Sequence, residues 1–413
     1  MKTVLIGAGY RGKALLGLLR GLPFFEVSAV ADPRLGGDAP ADPFAGLRIY
    51  SDGADDYRRM LAEERPQLVF ICSPWDSHIP QALDCLKAGC HVALEIRGGR
   101  QLGEYQPLMA FPGKVFPLEN MLFRRDILAV REMVRAGLFG EIVSLRGGYR
   151  HDLREELVDA AGVLGGSASA KGFDAGEAVP AAGKAVSAAG ASGDSGATRE
   201  RPCEAWRGRL YTTENADIYP THGMAPLCMI AGIHSLASVT AFASKAAGLR
   251  AKLGEGAPEV TLGDIVNTVA RTADGTLLSL VHDTTLPRPK SFGFEVQGTR
   301  GIWDEENHRI YIEGRSPFEQ WEPDAVYIDE YEDDMWRRWG AEAAAADHHH
   351  GGMDWMMLKA IEEDLRASSA AGSGAQPASA GFTYPATLAD LALWTSITPL
   401  SAKSIAEGRT VIL

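Results

Sequence analysis

The sequence holds no apolar run of about 18 residues, the length that a membrane-crossing helix requires, so no transmembrane segment is expected. Basic residues are in deficit: 41 Lys and Arg against 54 Asp and Glu leave a net charge of −13. An acidic surface argues against DNA, RNA or anionic lipid as the partner. Cysteine is sparse. Cys72, Cys85, Cys90, Cys203 and Cys228 show no C-x-x-C spacing, which suggests reduced thiols and a cytoplasmic protein. The first apolar run, TVLI, is too short for a signal peptide and reads as a β-strand. No internal repeat or heptad pattern stands out.

What is present is length and alternation. A chain of 413 residues has room for two or three domains. The runs TVLIG, EVSAVAD, LVFICS, HVALE and KVFPLE read as strands, separated by helix-like stretches at 11–20, 54–64, 77–88 and 125–136. Strands alternating with helices predict an α/β fold with a doubly wound parallel sheet over residues 1–122. A second domain, 123–413, is expected to follow, with GEIVSLRGGYR (140–150) as its first strand. There VTLGDIVNTVART, TLLSLVHDTT and SFGFEVQGTRGIW predict an α+β arrangement with a mostly antiparallel, open sheet. Helices are expected at 353–366 and 388–407, with a loop at 368–381. From about 160 to 198 the chain is dominated by Ala, Gly and Ser, with one aromatic, Phe173. Such a composition buries too little apolar surface to offset its ordering entropy and reads as an insertion.

VLIGAGYRG sets Gly7, Gly9 and Gly12 as G-x-G-x-x-G between a predicted strand and a predicted helix. Gly7 allows a tight turn, Gly9 lets a pyrophosphate approach, and Gly12 lets helix and strand pack closely. The helix N-terminus offers free N–H groups to the phosphates. Asp32 ends the next strand, where a carboxylate accepts bonds from the adenosine ribose and repels a 2′-phosphate, which favours NAD; Arg34 could soften that preference. Tyr10 and Arg11 lie within the same turn. CSPWDSH follows the next central strand, so Ser73, Pro74, Trp75 and His78 are expected beside the nicotinamide half, with Glu95 in the same layer and Asn120 near it. Trp75 reads equally as core.

DIYPTHGMAP places Tyr219 and His222 around Pro220, just before an apolar helix. A free imidazole has a pKa near 6.5, suited to taking a hydroxyl proton at neutral pH. The bland alternative is a hydrogen-bonding residue at a helix N-terminus. Tyr149 could be sheet packing, and Glu119 could merely cap a helix. His348, His349 and His350 are adjacent and cannot all face one metal; with no Cys or carboxylate spacing for zinc, no metal is expected. The acidic run EPDAVYIDEYEDD (322–334) reads as a solvated face.

GAGYRG, SPWDSH and HVALE together resemble the Gfo/Idh/MocA oxidoreductase family. These are two-domain proteins with a Rossmann domain and an α/β domain whose open sheet covers the active site. PLEN (117–120), GGYRHDLR (147–154), IYPTHG (218–223), VHDTTLPRP (281–289), VQGTRG (296–301), HGGMDW (350–355) and the closing WTSITPLSAKSIA are similar to glycoside hydrolase family 109, which uses tightly held NAD to cleave glycosides such as α-N-acetylgalactosaminides. The resemblance implies that Glu119, Tyr149, Tyr219 and His222 line a sugar site, that Arg207 (or Arg209) binds substrate, and that His350 lies near the pocket. It also implies a homo-oligomer formed through the C-terminal sheet. Two departures stand out. The broader family usually has Glu-Lys-Pro where this chain has Glu95-Ile96-Arg97, so the lysine often credited with proton transfer is missing, as it is in the hydrolase subgroup. After PRP the subgroup usually has a tyrosine, and here stands Lys290, which suggests an acidic or differently substituted sugar.

The resemblance implies a cycle in which the sugar is oxidised at carbon 3 with His222 as base. Tyr149 then takes the acidified proton on carbon 2, and the aglycone leaves, with Glu119 orienting hydroxyls or sharing the proton work. Two alternatives stand beside it: an ordinary NAD-dependent sugar or cyclitol dehydrogenase, and a non-catalytic NAD-bound sensor.

Overall fold

The computed structural model describes residues 1–35, 41–99, 102–158, 205–253, 258–373 and 382–413. The Ala/Gly/Ser-rich stretch at 160–198 and Cys203 lie outside them.

Six strands form the first sheet: β1 (Lys2–Ile6), β2 (Glu26–Ala31), β3 (Arg48–Tyr50), β4 (Leu68–Ile71), β5 (His91–Leu94) and β6 (Val115–Pro117), in the order β3-β2-β1-β4-β5-β6. All its pairings are parallel. The central strands are short aliphatic runs buried on both faces, such as LVFI in β4, because helices cover the sheet on each side. The helix Tyr10–Arg20 shows why: Gly12, Leu15, Leu16 and Leu19 recur at helical spacing and form its buried stripe. Strand order reverses between β1 and β4, so the loops after these two strands open onto one crevice.

The second sheet has nine strands: β7 (Ile142–Arg150), β8 (Ser238–Ala243), β9 (Ile265–Arg271), β10 (Leu277–Asp283), β11 (Glu295–Gly298), β12 (Gly301–Asp304), β13 (Arg309–Ile312), β14 (Glu322–Pro323) and β15 (Val411–Ile412). Their order is β14-β13-β12-β11-β7-β10-β9-β8-β15, antiparallel except where β7 meets β10. One face carries Leu145, Val266, Ala270, Leu278 and Leu280, all buried under the helices Thr221–Ala231 and Leu388–Glu407. The register puts Phe242, Val269, Leu277 and Ile412 together on the opposite face, where they are exposed.

Three local expectations change. The helix predicted at 353–366 runs on to Ser373, helped by the good helix former Ala367; residues 374–381 of the expected loop lie outside the described residues. The acidic run 322–334 is not simply a solvated face. Asp324 and Tyr327 are buried, because Trp303 Nε1 donates to Asp324 at 2.9 Å and the Tyr327 hydroxyl donates to Glu322 at 2.7 Å. The helix Asp334–Ala346 was not anticipated, although Asp333 caps it by accepting from Met335 N.

Candidate active site

The glycine turn meets its steric demands on the backbone. Gly7 adopts φ +95°, and a Cβ there would lie 2.6 Å from the Cys72 carbonyl carbon; a Cβ on Gly12 would lie 2.0 Å from Gly7 O. Ala8 N donates to Asp32 Oδ2 at 2.7 Å, which ties the turn to the end of β2. Arg34 grips the same carboxylate through Nε at 3.0 Å and Nη2 at 2.8 Å. Burial opposes the Asp32 charge, but Arg34 and the amides of Ala8 and Arg34 outweigh it and hold the carboxyl below its usual range. Asn120 Oδ1 is buried with no hydrogen-bond partner beside this crevice, an acceptor still to be satisfied. The cradle, the carboxylate and this acceptor fit a dinucleotide. Tyr10 stays exposed at the helix start and Pro74 exposed at the next loop.

Other residues expected at the cofactor carry contacts within the protein, some of them between its two parts. The Arg11 guanidinium is engaged by two carboxylates. Nε bonds Glu95 at 2.6 Å, and Nη1 and Nη2 bond Asp354 at 2.5 and 2.8 Å. Asn120 Nδ2 and His350 Nδ1 converge on the same Asp354, at 2.9 and 2.7 Å. Burial disfavours the Asp354 charge, yet Arg11 and His350 hold its carboxyl far below the usual range, whereas burial pushes Glu95 up despite Arg11. His350 thus sits on an interdomain joint. Asp347, His350 and Asp354 present ligand atoms within 4.8 Å of one another. Asp347 is already spent on the amides of His350 and Asp354, and Arg11 occupies both Asp354 oxygens, so the cluster reads as this joint. His78 is fully buried, with Nε2 2.6 Å from Ser73 O. Burial lowers its pKa to about 4, so it is a neutral brace for the Ser73 loop. Ser73 Oγ donates to Gln81 at 2.6 Å.

The second cluster is built where the helix Thr221–Ala231 crosses β7. A Cβ on Gly223 would lie 2.7 Å from Gly148 Cα, and one on Gly147 would lie 2.8 Å from Gly223 O. This backbone contact brings the His222 ring within 5.5 Å of the Tyr149 ring, centroid to centroid. His222 Nδ1 lies 2.7 Å from Glu119 Oε1. Glu119, fully buried after β6, also accepts from Met121 N at 3.2 Å, so it caps the short turn 120–123 while its Oε1 also holds the imidazole. Its Oε2 has no partner. His222 Nε2 faces the Tyr219 hydroxyl at 3.4 Å.

Trp75, Tyr219, Tyr149 and Phe292 wall this site. Trp75 stacks on Tyr219 at 5.6 Å, Tyr149 lies 4.6 Å from Tyr219, and Phe292 lies 6.2 Å from His222. Trp75 is also anchored as core, its Nε1 donating to Ile96 O at 3.0 Å. Arg207 lies over Trp75 and Tyr219, at 5.4 and 5.6 Å, whereas Arg209 is exposed; this separates the two candidate arginines. Ile96, at the position of the missing lysine, is buried. Beside it the buried Arg97 guanidinium bonds Ile218 O at 3.1 Å and Thr398 Oγ1 at 2.8 Å, bracing the 217–222 turn. Asp217 accepts from Tyr219 N at 3.2 Å, and burial raises its pKa to about 7. Burial also holds Tyr219 well above the ordinary phenol range. Lys290 keeps its solvent contact at the rim, with Nζ 5.5 Å from the Phe292 ring centre. Burial, then Arg124, lowers its pKa against the pull of Glu156. The residues not singled out from sequence are His151, Phe292 and Asp354. Asp354 stands inside HGGMDW and His151 inside GGYRHDLR, while Phe292 gave no signal of its own.

No helix among the described residues is long and apolar enough to cross a membrane. Residues 1–96 match the oxidoreductase family with an NAD-binding Rossmann fold. Residues 123–181 and 177–412 match the glycosyl hydrolase 109 C-terminal domain. A glycosyl hydrolase family 109 protein of Stenotrophomonas maltophilia is 35% identical over 99% of this chain and 87% of its own length. An alpha-N-acetylgalactosaminidase of Tannerella forsythia is 31% identical over 88% of this chain and 74% of its own. Among solved structures, levoglucosan dehydrogenase in complex with NADH and levoglucosan superposes with a TM-score of 0.65 at 17% identity, covering 100% of this chain and 99% of that one. At that identity the likeness is one of fold. The nucleotide cradle, the sugar-site motifs and these matches agree: the chain is an NAD-dependent enzyme and belongs to glycosyl hydrolase family 109, with an N-terminal Gfo/Idh/MocA Rossmann domain.

Proposed function

We propose that the protein cleaves a glycoside by transient oxidation of its sugar ring. The observation that carries this reading is the meeting of two proton-handling groups, the Glu119–His222 pair and Tyr149, in one aromatic-walled site beside the loop that follows β4. NAD, held by the glycine turn and Asp32, supplies a hydride acceptor that also returns the hydride, so net hydrolysis needs no added oxidant. His222 takes the proton of the carbon 3 hydroxyl, and Glu119 fixes the ring and stabilises the imidazolium. The resulting ketone acidifies the hydrogen on carbon 2. Tyr149 removes it, the bond from carbon 1 to the aglycone breaks, and water adds at carbon 1. Tyr219, held in its neutral form, donates a hydrogen bond. Arg207 and Trp75 flank the sugar.

The Tannerella relative is named for an N-acetylgalactosaminide. Lys290 at the rim favours a sugar with an acidic or otherwise different substituent. The exposed apolar strip Phe242, Val269, Leu277 and Ile412 supports a homo-oligomer formed through the nine-stranded sheet. The described cysteines, which form no disulfide, support a cytoplasmic location. Incubation with nitrophenyl glycosides and substoichiometric NAD tests the reading. Multiple turnovers of phenolate per NAD are expected. Stoichiometric NADH without phenolate would instead mark a plain sugar dehydrogenase.

A further inference from the structure

We propose that His151 is a positioning residue that relays the proton of Tyr149, which gives the site two separate proton channels. This rests on the oxidation–elimination reading above. Tyr149 Oη lies 3.3 Å from His151 Nδ1, with the rings edge to face at 6.0 Å and 89°. The nearer imidazole, His222, is already committed through Nδ1 to Glu119 and faces Tyr219 through Nε2. It serves the hydroxyl proton of carbon 3, and a second proton needs a second acceptor. His151 is placed for that task just past the end of β7. Its own N–H donates to Asp283 O at 2.9 Å, which fixes the backbone that carries the ring. Its neighbour Asp152 is engaged by Arg154, at 2.8 and 2.7 Å. Tyr149 is 9% exposed, whereas His151 keeps partial solvent contact, so the path from phenol to imidazole runs from the buried site outward.

The chemistry needs such an acceptor. A phenol with a pKa near 10 is a weak base at neutral pH. If its proton moves to an imidazole as the phenolic oxygen takes the carbon 2 hydrogen, the oxygen attacks with phenolate character. The C2–H bond breaks, its proton goes to Tyr149 Oη, and the phenol's own proton goes to His151 Nδ1. The electron pair left on carbon 2 expels the carbon 1 substituent. After water adds, the same path runs in reverse and returns a proton to carbon 2.

Holoenzyme in D2O, with the nitrophenyl glycoside it cleaves fastest, separates the channels. Deuterium entering carbon 2 reports Tyr149, and reduction of the bound nicotinamide reports the carbon 3 step. His151→Ala should slow carbon 2 exchange about 100-fold while nicotinamide reduction keeps its rate. His151→Asn, which offers an acceptor but cannot take a proton, should be as slow. Wild-type exchange in either variant would overturn the relay, and so would rescue by Asn alone or equal loss of both steps. If the wild-type nicotinamide is never reduced by a glycoside, the oxidation reading fails first and the relay falls with it.

Discussion

The two functional regions of this chain are made of different material. In the six-stranded sheet the cradle is backbone: Gly7, Gly12 and the Ala8 amide do the shaping, and Asp32 is the main side chain. Where the helix Thr221–Ala231 crosses β7 the site is side chains: Glu119, Tyr149, Tyr219, His222 and Phe292, delivered by segments far apart in sequence, Glu119 coming from beyond β6 of the other sheet. A backbone site demands particular residues at fixed local spacing. A side-chain site demands only that distant elements cross at the right place.

This contrast explains what could be read in advance. The glycine fingerprint, the alternating strands and helices and the 388–407 helix are local demands, and they were legible. So was the antiparallel character of the second sheet, from its turn-separated apolar runs. The convergence of residues 119, 149, 207 and 222 was suggested by motif similarity alone, because nothing in their spacing says that they meet. His151 stood inside GGYRHDLR, two residues from Tyr149, but nothing local shows that the two rings meet, and Phe292 carries no spacing signal. Arg11 and His350 were placed with ligands, yet they meet on Asp354, a partner that no local pattern announces. Strand β3 escaped because three residues at a sheet edge are too few for a periodicity.

The comparison can be broken at its most sensitive point first. Gly12→Val should abolish NAD binding by calorimetry and all activity with it, because its Cβ has no space against Gly7 O. Next, His222→Ala should lower turnover about 1000-fold while NAD affinity stays at the wild-type value, which separates the side-chain site from the backbone one. Comparable activity in that variant would remove His222 from the chemistry. Gly223→Ala sharpens the contrast, because it is a backbone demand inside the side-chain site. Pushing the helix off β7 should cost about 100-fold in kcat with a lowered Tm, since misplacement by about 1 Å is enough.

The smallest effect concerns pH. Burial raises the Asp217 carboxyl to about 7, above its unfolded value, so the folded state holds a proton that the unfolded state has released. That stabilisation is present below pH 4 and is lost as pH rises through 7. Asp217→Asn should therefore flatten the fall in Tm between those limits by a few degrees, and an unchanged slope would argue against it.

The central claim is that glycoside cleavage passes through hydride removal at carbon 3. A nitrophenyl glycoside carrying deuterium at that carbon tests it most directly. The account predicts that phenolate release slows relative to the unlabelled substrate, stops when NAD is stripped from the protein, and yields a sugar with its label still on carbon 3. Equal rates for the two substrates together with full turnover by the NAD-free protein would contradict it.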